Sequence, residues 1–494
     1  MKNFKALIRL LLVSIATIGC FEDNDDIPIA TSTINDFVWK GMNLFYLYKD
    51  DVPDLANNRF SSNNTEYADY LNSFQRPENL FESLIYNREN VDRFSWIVDD
   101  YIALEQFFSG ISSNNGMEYQ LFKFPTTDTN QYGIVTHVLP NTDAEAKGIK
   151  RGDIFYGIDD IQLTEGNKSQ LLRQNNYTIN LGAYNDNGTP EVNDDSINTT
   201  SESISLSKAI YTENPILVNS VLNVGNTKIG YLMYNGFTGT NQFNTELNTV
   251  FGSFKSNNIN ELVLDLRYNP GGSVYTAIIL SSLITGQFTG DVFSTEQWNM
   301  EFQEVYQNQN PELLINKFIN NDNGASLNSL NLTKVYVLTT KRSASASELI
   351  INSLRPYIDV VQIGTTTAGK YQASTTLYDS PNFRREGANQ RHAYAMQPLI
   401  FKSLNVNGVT DYFNGLTPDI VLGEQFNNLG ILGNQNEPLL AAAISRIMGT
   451  GRFSKSKSGF LKITNGSEDF EPFETGMYVE KELPLNLINN SLFE

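Results

Sequence analysis

The stretch VLDLRYNPGGS, from Val263 to Ser273, is an apolar strand pattern that ends in two consecutive glycines and opens a helix. Paired glycines at such a junction let the backbone approach a ligand closely and direct free N–H groups towards it. An oxyanion hole is built from groups of this kind. A plain strand–turn–helix connection explains the same segment, so the segment alone leaves both interpretations open.

Strand and helix patterns alternate on both sides of this stretch. Strands are predicted at Ile229–Tyr234, Leu262–Leu266, Val335–Thr340 and Val360–Ile363. Helices are predicted at 243–254, Val274–Ile284, Ala346–Leu354 and from Glu437 to about Met448. This alternation indicates a layered α/β domain, which we assign to residues 216–449.

A second stretch, KRSASASELIINSLRP from Lys341 to Pro356, puts small residues where a strand gives way to a helix. Crowding by backbone and substrate would require small side chains there. Ser345 and Glu348 also have the spacing of a capping box, which is a purely structural explanation. The capping box accounts for one serine and one glutamate, but not for the whole Ser-Ala-Ser-Ala-Ser run.

The segment from Tyr132 to Leu163 predicts a strand, a short helix ended by Gly148, a turn and a second strand. This order resembles a PDZ domain, a module that binds C-terminal peptides by adding them as a strand. We assign residues 111–215 to a PDZ-like domain, although residues 116–121 carry no clear carboxylate-binding signature. His137 lies in its first strand and is interpreted as a structural residue.

The flanking regions are less informative. A helical pattern begins at Thr33, and residues 31–110 are interpreted as a small, mostly helical N-terminal domain of unreadable function. Residues 450–494 form a tail to which no structure is assigned.

The N-terminus has a basic start, an apolar run and then Cys20, the only cysteine of the chain. Residues 1–19 resemble a bacterial lipoprotein signal peptide, in which that cysteine becomes the lipidated first residue. An ordinary signal peptide is the alternative. The acidic tether over residues 20–30 resembles the surface-export signal of Bacteroidetes lipoproteins, and a solvated spacer explains it equally well. We expect a lipid-anchored protein of the bacterial cell envelope, on the periplasmic or surface side of a membrane that is expected to be the outer one.

Composition excludes several kinds of chemistry. The formal net charge of −20 makes nucleic acid an unexpected partner, since that binding needs clustered Lys and Arg. Two histidines and one cysteine make a zinc site of the usual ligands implausible. No metal or other cofactor is expected, and a hydrolase has to work mainly with Ser, Lys, Asp or Glu.

Taken together, the motifs resemble peptidase family S41, the carboxyl-terminal processing and tricorn-core proteases. That family carries SASASE with the middle serine as nucleophile, here Ser345, and a lysine 25 residues later, here Lys370. Its DLRxNPGG matches Asp265 to Gly272, and its late G-x-T-P-D matches Gly415 to Asp419. The resemblance covers roughly residues 31–448 and implies a crotonase-like layered α/β catalytic core within an α/β multidomain chain.

The resemblance also implies residue roles. Ser345 would be the nucleophile and Lys370 its base, which requires that burial lower the lysine's pKa from its ordinary value of about 10.4. Backbone N–H groups of Gly271 or Gly272 and of Ala346 would hold the oxyanion. Some relatives have a glutamine four residues after the lysine; here that position is Ser374, and Gln372 is the candidate orienting residue.

Other interpretations are weaker. Residues 364–370 fit the spacing of a phosphate-binding loop, but Tyr371 follows where Ser or Thr is needed. His392 could be argued as a base for Ser345, which the lysine spacing makes unnecessary. We therefore predict a serine endopeptidase that hydrolyses protein or peptide substrates by a Ser-Lys dyad, and we expect it to act on protein C-terminal segments presented by the PDZ-like domain. The alternatives are a catalytically inactive peptide-binding lipoprotein on the same scaffold and an acyl hydrolase on a similar layered domain. Substrate identity and oligomeric state are not readable.

Overall fold

The computed structural model describes residues 31–60, 64–124, 129–189, 194–450, 462–470, 473 and 476–479. The predicted signal peptide, Cys20 and the tether over 20–30 lie outside the described residues. In the described part of the chain, no helix combines the length and the apolar character needed to cross a membrane.

The N-terminal region is mainly helical, as predicted, with one short strand. Its elements are α1 (Thr31–Phe45), α2 (Asn64–Asn72), α3 (Pro77–Ser83), β1 (Trp96–Val98) and α4 (Tyr101–Phe108), with 3-10 turns at Lys49–Asp51 and Pro53–Leu55. The predicted apolar face of α1 is buried, with Phe37, Val38 and Met42 among its members. The N-cap of α4 is Asp100, whose carboxylate accepts the N–H groups of Ile102 and Ala103.

The next region consists of antiparallel strands and two short helices. Its elements are β2 (Ile111–Asn114), β3 (Met117–Lys123), β4 (Tyr132–Val138), α5 (Asp143–Ala146), β5 (Ile154–Ile158), β6 (Ile161–Gln162), α6 (Lys168–Leu172), β7 (Asn176–Asn185), β8 (Ser196–Ser207) and β9 (Ala209–Thr212). The predicted order of strand, helix, Gly148 turn and strand is present, with Thr142 as N-cap of α5. This region has its own apolar core.

The α/β region follows the predicted alternation closely. Its elements are β10 (Ile216–Val224), β11 (Thr227–Tyr234), α7 (Asn241–Ser256), β12 (Glu261–Asp265), α8 (Val274–Ile284), β13 (Val292–Trp298), α9 (Met300–Gln309), β14 (Ile315–Lys317), β15 (Asn321–Asp322), β16 (Ala325–Ser326), β17 (Lys334–Thr339), α10 (Ala346–Leu354), β18 (Asp359–Gly364), β19 (Gln372–Ser374), β20 (Leu377–Tyr378), β21 (Ala395–Gln397), β22 (Leu399–Leu404), β23 (Ile420–Val421) and α11 (Pro438–Ile447), with a 3-10 turn at Pro311–Leu314. The predicted bounds of α8 and α10 agree with the structure.

The central sheet has the strand order β10-β11-β12-β17-β18-β23, in which only the β10–β11 pair is antiparallel. Helices α7, α8 and α10 contribute to the largest apolar core on one face, and α11 packs in a second core with β11, β12, β17 and β18. Because β12 and β17 are parallel neighbours, the turns that follow them lie side by side at one edge of the sheet. The two motif-bearing turns therefore meet there.

A second layer was not predicted as such. Strands β14, β13, β22 and β19 form an antiparallel sheet, and β19 begins at Gln372, just after Lys370 and Tyr371. The N-terminal helices share the largest core with this region, since Phe45 of α1 packs on Phe302 of α9.

A buried ion cluster explains part of the DLR motif. The Arg267 side chain is fully buried and pairs with Asp265 at 2.8 Å, with Glu437 at 2.6 Å and with Glu424 at 3.2 Å. Glu437 is also the N-cap of α11. The motif arginine thus ties β12 to α11, which is a structural role.

The tail beyond residue 450 has structure in two places. Strand β24 (Lys462–Gly466), followed by a 3-10 turn at Ser467–Phe470, pairs antiparallel with β3. Residues 476–479 lie beside Ser273 and Ser374. The tail, unassigned from sequence, therefore belongs to both the antiparallel region and the α/β region.

Candidate active site

Ser345 lies at the junction between β17 and α10, as the N-cap residue of α10. Its backbone angles are φ 62° and ψ −114°, a conformation that side-chain-bearing residues rarely adopt. Strained backbone at a strand–helix junction is typical of nucleophile-bearing turns. The residue is completely buried, and its Oγ accepts a hydrogen bond from the N–H of Met477.

The run of small residues around Ser345 connects two turns. Ser343 Oγ donates to Leu266 O at 2.7 Å, and Ser347 Oγ donates to Asn269 O at 3.0 Å. The Ala344 N–H donates to the same Asn269 carbonyl at 3.1 Å. Small side chains are required because the start of α10 is packed directly against the Asn-Pro-Gly-Gly turn.

The two glycines of that turn leave no room for a side chain. Gly271 has φ 114°, and a Cβ there would lie 2.6 Å from Ser345 Cβ. Gly272 has φ 133°, and a Cβ there would overlap Phe237 O. The close backbone approach expected from the sequence is therefore present, and it brings the turn against the candidate nucleophile.

The N–H groups of this turn differ in availability. The Gly271 N–H already donates to Asn269 Oδ1 at 2.9 Å. Within the described residues, the N–H groups of Gly272 and Ala346 have no hydrogen-bond acceptor. Of the three predicted oxyanion donors, Gly272 and Ala346 are thus unengaged.

Lys370 follows a tight loop between β18 and β19. Gly369 has φ 88°, and a Cβ there would overlap Phe413 O, so the loop needs glycine at this position. The lysine is 4% exposed, and its Nζ lies 4.7 Å from the centroid of the Phe94 ring. The chain continues as a strand, not as the helix that a phosphate-binding loop requires.

Glu348 connects the backbones of Ser345 and Lys370. Its Oε2 accepts the N–H of Ser345 at 2.9 Å and that of Lys370 at 2.8 Å. Its Oε1 accepts the N–H of Gly369 at 2.7 Å and the hydroxyl of Thr367. Burial raises the pKa of the Glu348 carboxyl above its ordinary value, and these hydrogen bonds oppose that rise. The capping-box contact from Glu348 is present, but the carboxylate has this second role towards the lysine loop.

The N-terminal region also contributes to the site, which the sequence did not indicate. Arg93 Nη2 donates to Gly369 O at 2.9 Å and stacks over the Phe413 ring. Phe94 lies against the lysine amine. Asp92 holds this segment by accepting the N–H groups of Phe94 and Ser95. The Asp-Arg-Phe-Ser-Trp stretch was the available signal, but nothing in its local pattern points to Lys370.

Gln372, the candidate orienting residue, lies on β19 and is 1% exposed. Its Nε2 donates to Tyr48 Oη at 2.9 Å. Its Oε1 has no hydrogen-bond partner among the described residues. Its amide is thus held by the N-terminal region, and its role towards Lys370 stays a prediction.

The two histidines have other surroundings. The His137 ring stacks on Tyr268 with centroids 5.3 Å apart, and its Nε2 lies 3.1 Å from Asn235 Nδ2. Burial lowers the pKa of His137 to about 4. His392 Nε2 lies 2.8 Å from Asp379 Oδ2. In the described part of the chain, no hydrogen bond joins either histidine to Ser345.

A cavity of about 160 Å³ adjoins the glycine turn. Its lining combines the antiparallel region, the α/β region, α4 and the C-terminal segment; among its residues are Phe108, Glu118, His137, Gly272, Arg342 and Tyr478. The predicted PDZ-like region therefore lines a cavity directly beside the glycine turn of the candidate site.

Two family models match the chain. The model of peptidase family S41 matches residues 228–422, and that of the peptidase S41 N-terminal domain matches residues 33–96. The two spans together cover just over half of the 494 residues and include Ser345 and Lys370.

Solved structures are also similar to this chain. A candidate S41 protease from Bacteroides fragilis NCTC 9343 is similar over 86% of this chain and 98% of its own, with 25% identity and a TM-score of 0.63. The photosystem II D1 C-terminal processing protease matches over 84% of this chain and 99% of its own, with 15% identity and a TM-score of 0.47. Mature CPAF complexed with lactacystin matches over 84% and 97%, with 11% identity and a TM-score of 0.43.

Proposed function

Since the chain belongs to peptidase family S41, we propose that it is a serine endopeptidase with Ser345 as nucleophile and Lys370 as base. The observation that carries this proposal is that both residues contact one peptide segment. Met477 N–H bonds to Ser345 Oγ, and the preceding residue, Gly476, packs against Lys370 Nζ. A peptide bound in this cleft thus meets both side chains at adjacent residues.

The proposed reaction proceeds through an acyl-enzyme. Ser345 Oγ bonds to the scissile carbonyl carbon while its proton passes to the neutral amine of Lys370. Lys370 then delivers that proton to the leaving nitrogen as the C–N bond breaks. A water molecule attacks the acyl carbon while Lys370 accepts its proton, and Lys370 returns that proton to Ser345 Oγ as the acyl–oxygen bond breaks.

Two features of the site support this chemistry. The Lys370 side chain is buried, and burial penalises a charged amine. The unengaged N–H groups of Gly272 and Ala346 belong to the residues that follow Gly271 and Ser345, and Gly271 lies against Ser345, so we assign the oxyanion to them. Gly271 would have a different task, since its N–H is engaged and its missing side chain makes room for Ser345.

The proposal extends to substrate delivery and location. The predicted PDZ-like region contributes Glu118 and His137 to the cavity beside Gly272, a position from which a bound C-terminal segment could reach the cleft. We further propose lipid attachment at Cys20, which would hold the enzyme on an envelope membrane. Cys20→Ser should abolish incorporation of labelled palmitate and release the protein from the membrane fraction; retention of both would contradict the anchor.

Peptide turnover tests the catalytic assignment. The wild type should hydrolyse members of a fluorogenic peptide library, and Ser345→Ala and Lys370→Ala should each lower kcat by about three orders of magnitude. Lys341→Ala is the matched control, because Lys341 is exposed and lies near the start of the same motif. A fluorophosphonate should label Ser345 in the wild type, as read by mass spectrometry. If Lys370→Ala and Lys341→Ala cleave equally fast, the dyad assignment is wrong.

A further inference from the structure

Residues 476–479 form an extended segment inside the candidate cleft, with bridge pairings at Tyr478. On one side, the Tyr478 N–H donates to Gly272 O at 3.2 Å and the Val274 N–H donates to Tyr478 O at 3.0 Å. On the other, the Ser374 N–H donates to Met477 O at 2.9 Å and the Val479 N–H donates to Ser374 O at 3.1 Å. The segment is thus hydrogen-bonded in parallel to both walls, which is how an extended peptide is captured by strand addition.

The side chains of the segment are buried as well. Met477 is completely buried, and its Sδ lies 4.0 Å from Ser403 Oγ. The Tyr478 ring stacks on Phe108 with centroids 4.5 Å apart, and its Oη accepts the Gly239 N–H at 3.4 Å. Val479 is 7% exposed. The cleft therefore has well-packed positions for three successive apolar side chains.

Residues 476–479 contact both Ser345 and Lys370, but they are not positioned to react with Ser345. The Met477 nitrogen, not a carbonyl carbon, faces Ser345 Oγ, and a Cβ on Gly476 would overlap Lys370 Nζ. Within the described residues, no hydrogen bond joins Gly476 O to the N–H of Gly272 or Ala346. A peptide held this way blocks the nucleophile while its carbonyl stays outside the proposed oxyanion hole.

From these contacts we propose that Gly476–Val479 is the chain's own competitor for the substrate cleft, an unreactive occupant that must leave before a substrate enters. The occupant also describes the substrate class: an extended peptide with a small residue beside Lys370, followed by apolar or aromatic residues. The proposal rests on the proposed peptidase function, because it assigns the cleft to substrate.

Tethering makes such a competitor effective at modest intrinsic affinity. Strand β24 fixes the tail to β3 about ten residues before Gly476. Attachment through a connection of about ten residues gives an effective concentration in the millimolar range. Competition of this type raises the apparent KM for substrate and leaves kcat unchanged.

The test uses the full chain and weakens only the binding of residues 476–479 to the cleft. Tyr478→Ala removes the ring stacked on Phe108, and Gly476→Val independently introduces a clash with Lys370. Gly166→Val is the matched control, since a Cβ at Gly166 meets no atom within 4 Å. The probe is a fluorescein-labelled peptide with the sequence of residues 473–479, FETGMYV, followed by fluorescence anisotropy. Both occupant variants should bind it at least tenfold more tightly than the wild type and Gly166→Val.

Hydrolysis of a library peptide is measured on the same proteins. Tyr478→Ala should lower KM at least tenfold while kcat stays within twofold of the wild type. If all four proteins bind the probe equally, or none binds it, the occupant proposal is overturned, whatever the turnover. If the variants bind the probe more tightly but no protein hydrolyses any peptide, the occupant proposal stands and the peptidase function fails.

Discussion

Ser345 and Lys370 share one hydrogen-bond acceptor: Glu348 Oε2 receives the backbone N–H of Ser345 at 2.9 Å and that of Lys370 at 2.8 Å. A single carboxylate oxygen thus fixes the relative position of the two loops that carry the candidate nucleophile and base. Glu348 itself is completely buried. It is a positioning residue, since it acts through the backbones of the two others.

Glu348→Gln should therefore lower kcat by 10- to 100-fold with little change in KM. An amide has only one acceptor oxygen, so at least one buried N–H donor would lose its partner, at a cost of about 1–3 kcal/mol in unfolding free energy. Steady-state kinetics and urea denaturation measure both effects. Glu304→Gln, at an exposed position of α9, is the control and should change neither. An unchanged kcat in a less stable Glu348→Gln protein would mean that the carboxylate only supports the fold.

A comparison of Gly271→Ala with Gly290→Ala should separate the effect of steric overlap from the effect of backbone strain. Its Cβ would lie 2.6 Å from Ser345 Cβ, and φ is 114°. Gly290 also has a positive φ, 90°, but a Cβ there meets no atom within 4 Å. Each alanine should cost about 1–2 kcal/mol of unfolding free energy from the backbone conformation. Only Gly271→Ala should lower kcat, by about 100-fold, because displacing the nucleophile by about 1 Å has that effect. Equal kcat values in the two variants would show that Ser345 tolerates the displacement.

Local patterns predicted much of this structure. The bounds of α8 and α10 follow from a strand-to-helix change in periodicity, and the motif turns follow from glycines and small residues. The parallel pairing of β12 and β17 then brings the two motifs together.

What the sequence did not indicate depends on contacts between distant residues. Arg93 and Gly369 are 276 positions apart, and no periodicity links them. Residues 476–479 are too few to show a pattern, and their extended conformation is supported by hydrogen bonds from the two walls of the cleft. The antiparallel sheet around β19 was missed because β14 and β19 have only three residues each and β13 contains several polar side chains. The DLR motif was recognised, but the partners of Arg267, Glu424 and Glu437, lie far along the chain.

Arg267→Met should destabilise the protein by about 3–5 kcal/mol, because it leaves buried carboxylates without their cation. Burial alone would raise the pKa of Glu424, but the charges of Arg151 and Arg267 lower it to about 2. The free energy of unfolding from chemical denaturation gives the measurement. Arg76→Met removes an exposed ion pair with Glu78 and should leave the free energy of unfolding almost unchanged. Equal losses in the two variants would contradict the structural role of the cluster.

His137 should make stability depend on pH between about 4 and 6.5. Burial lowers its folded-state pKa to about 4 from an ordinary value of 6.5, so in this window the unfolded chain binds more protons than the folded one. Stability due to His137 is then fully present above pH 6.5 and decreases as the pH falls to about 4, by up to about 3 kcal/mol. The expected protonation agrees with its contacts, since Nε2 faces the Asn235 amide, a donor that requires an unprotonated ring nitrogen.

Carboxylates also titrate in this range, so the measurement has to be a difference. Urea denaturation of the wild type and of His137→Gln, at intervals from pH 4 to pH 7.5, gives two curves of unfolding free energy. Their difference should be largest at pH 7 and decrease by about 3 kcal/mol towards pH 4, since only the wild type carries the imidazole. Parallel curves would mean that the ring is protonated as easily in the folded protein as in the unfolded chain. The stacking on Tyr268 and the burial beside the glycine turn would then have no influence on its charge.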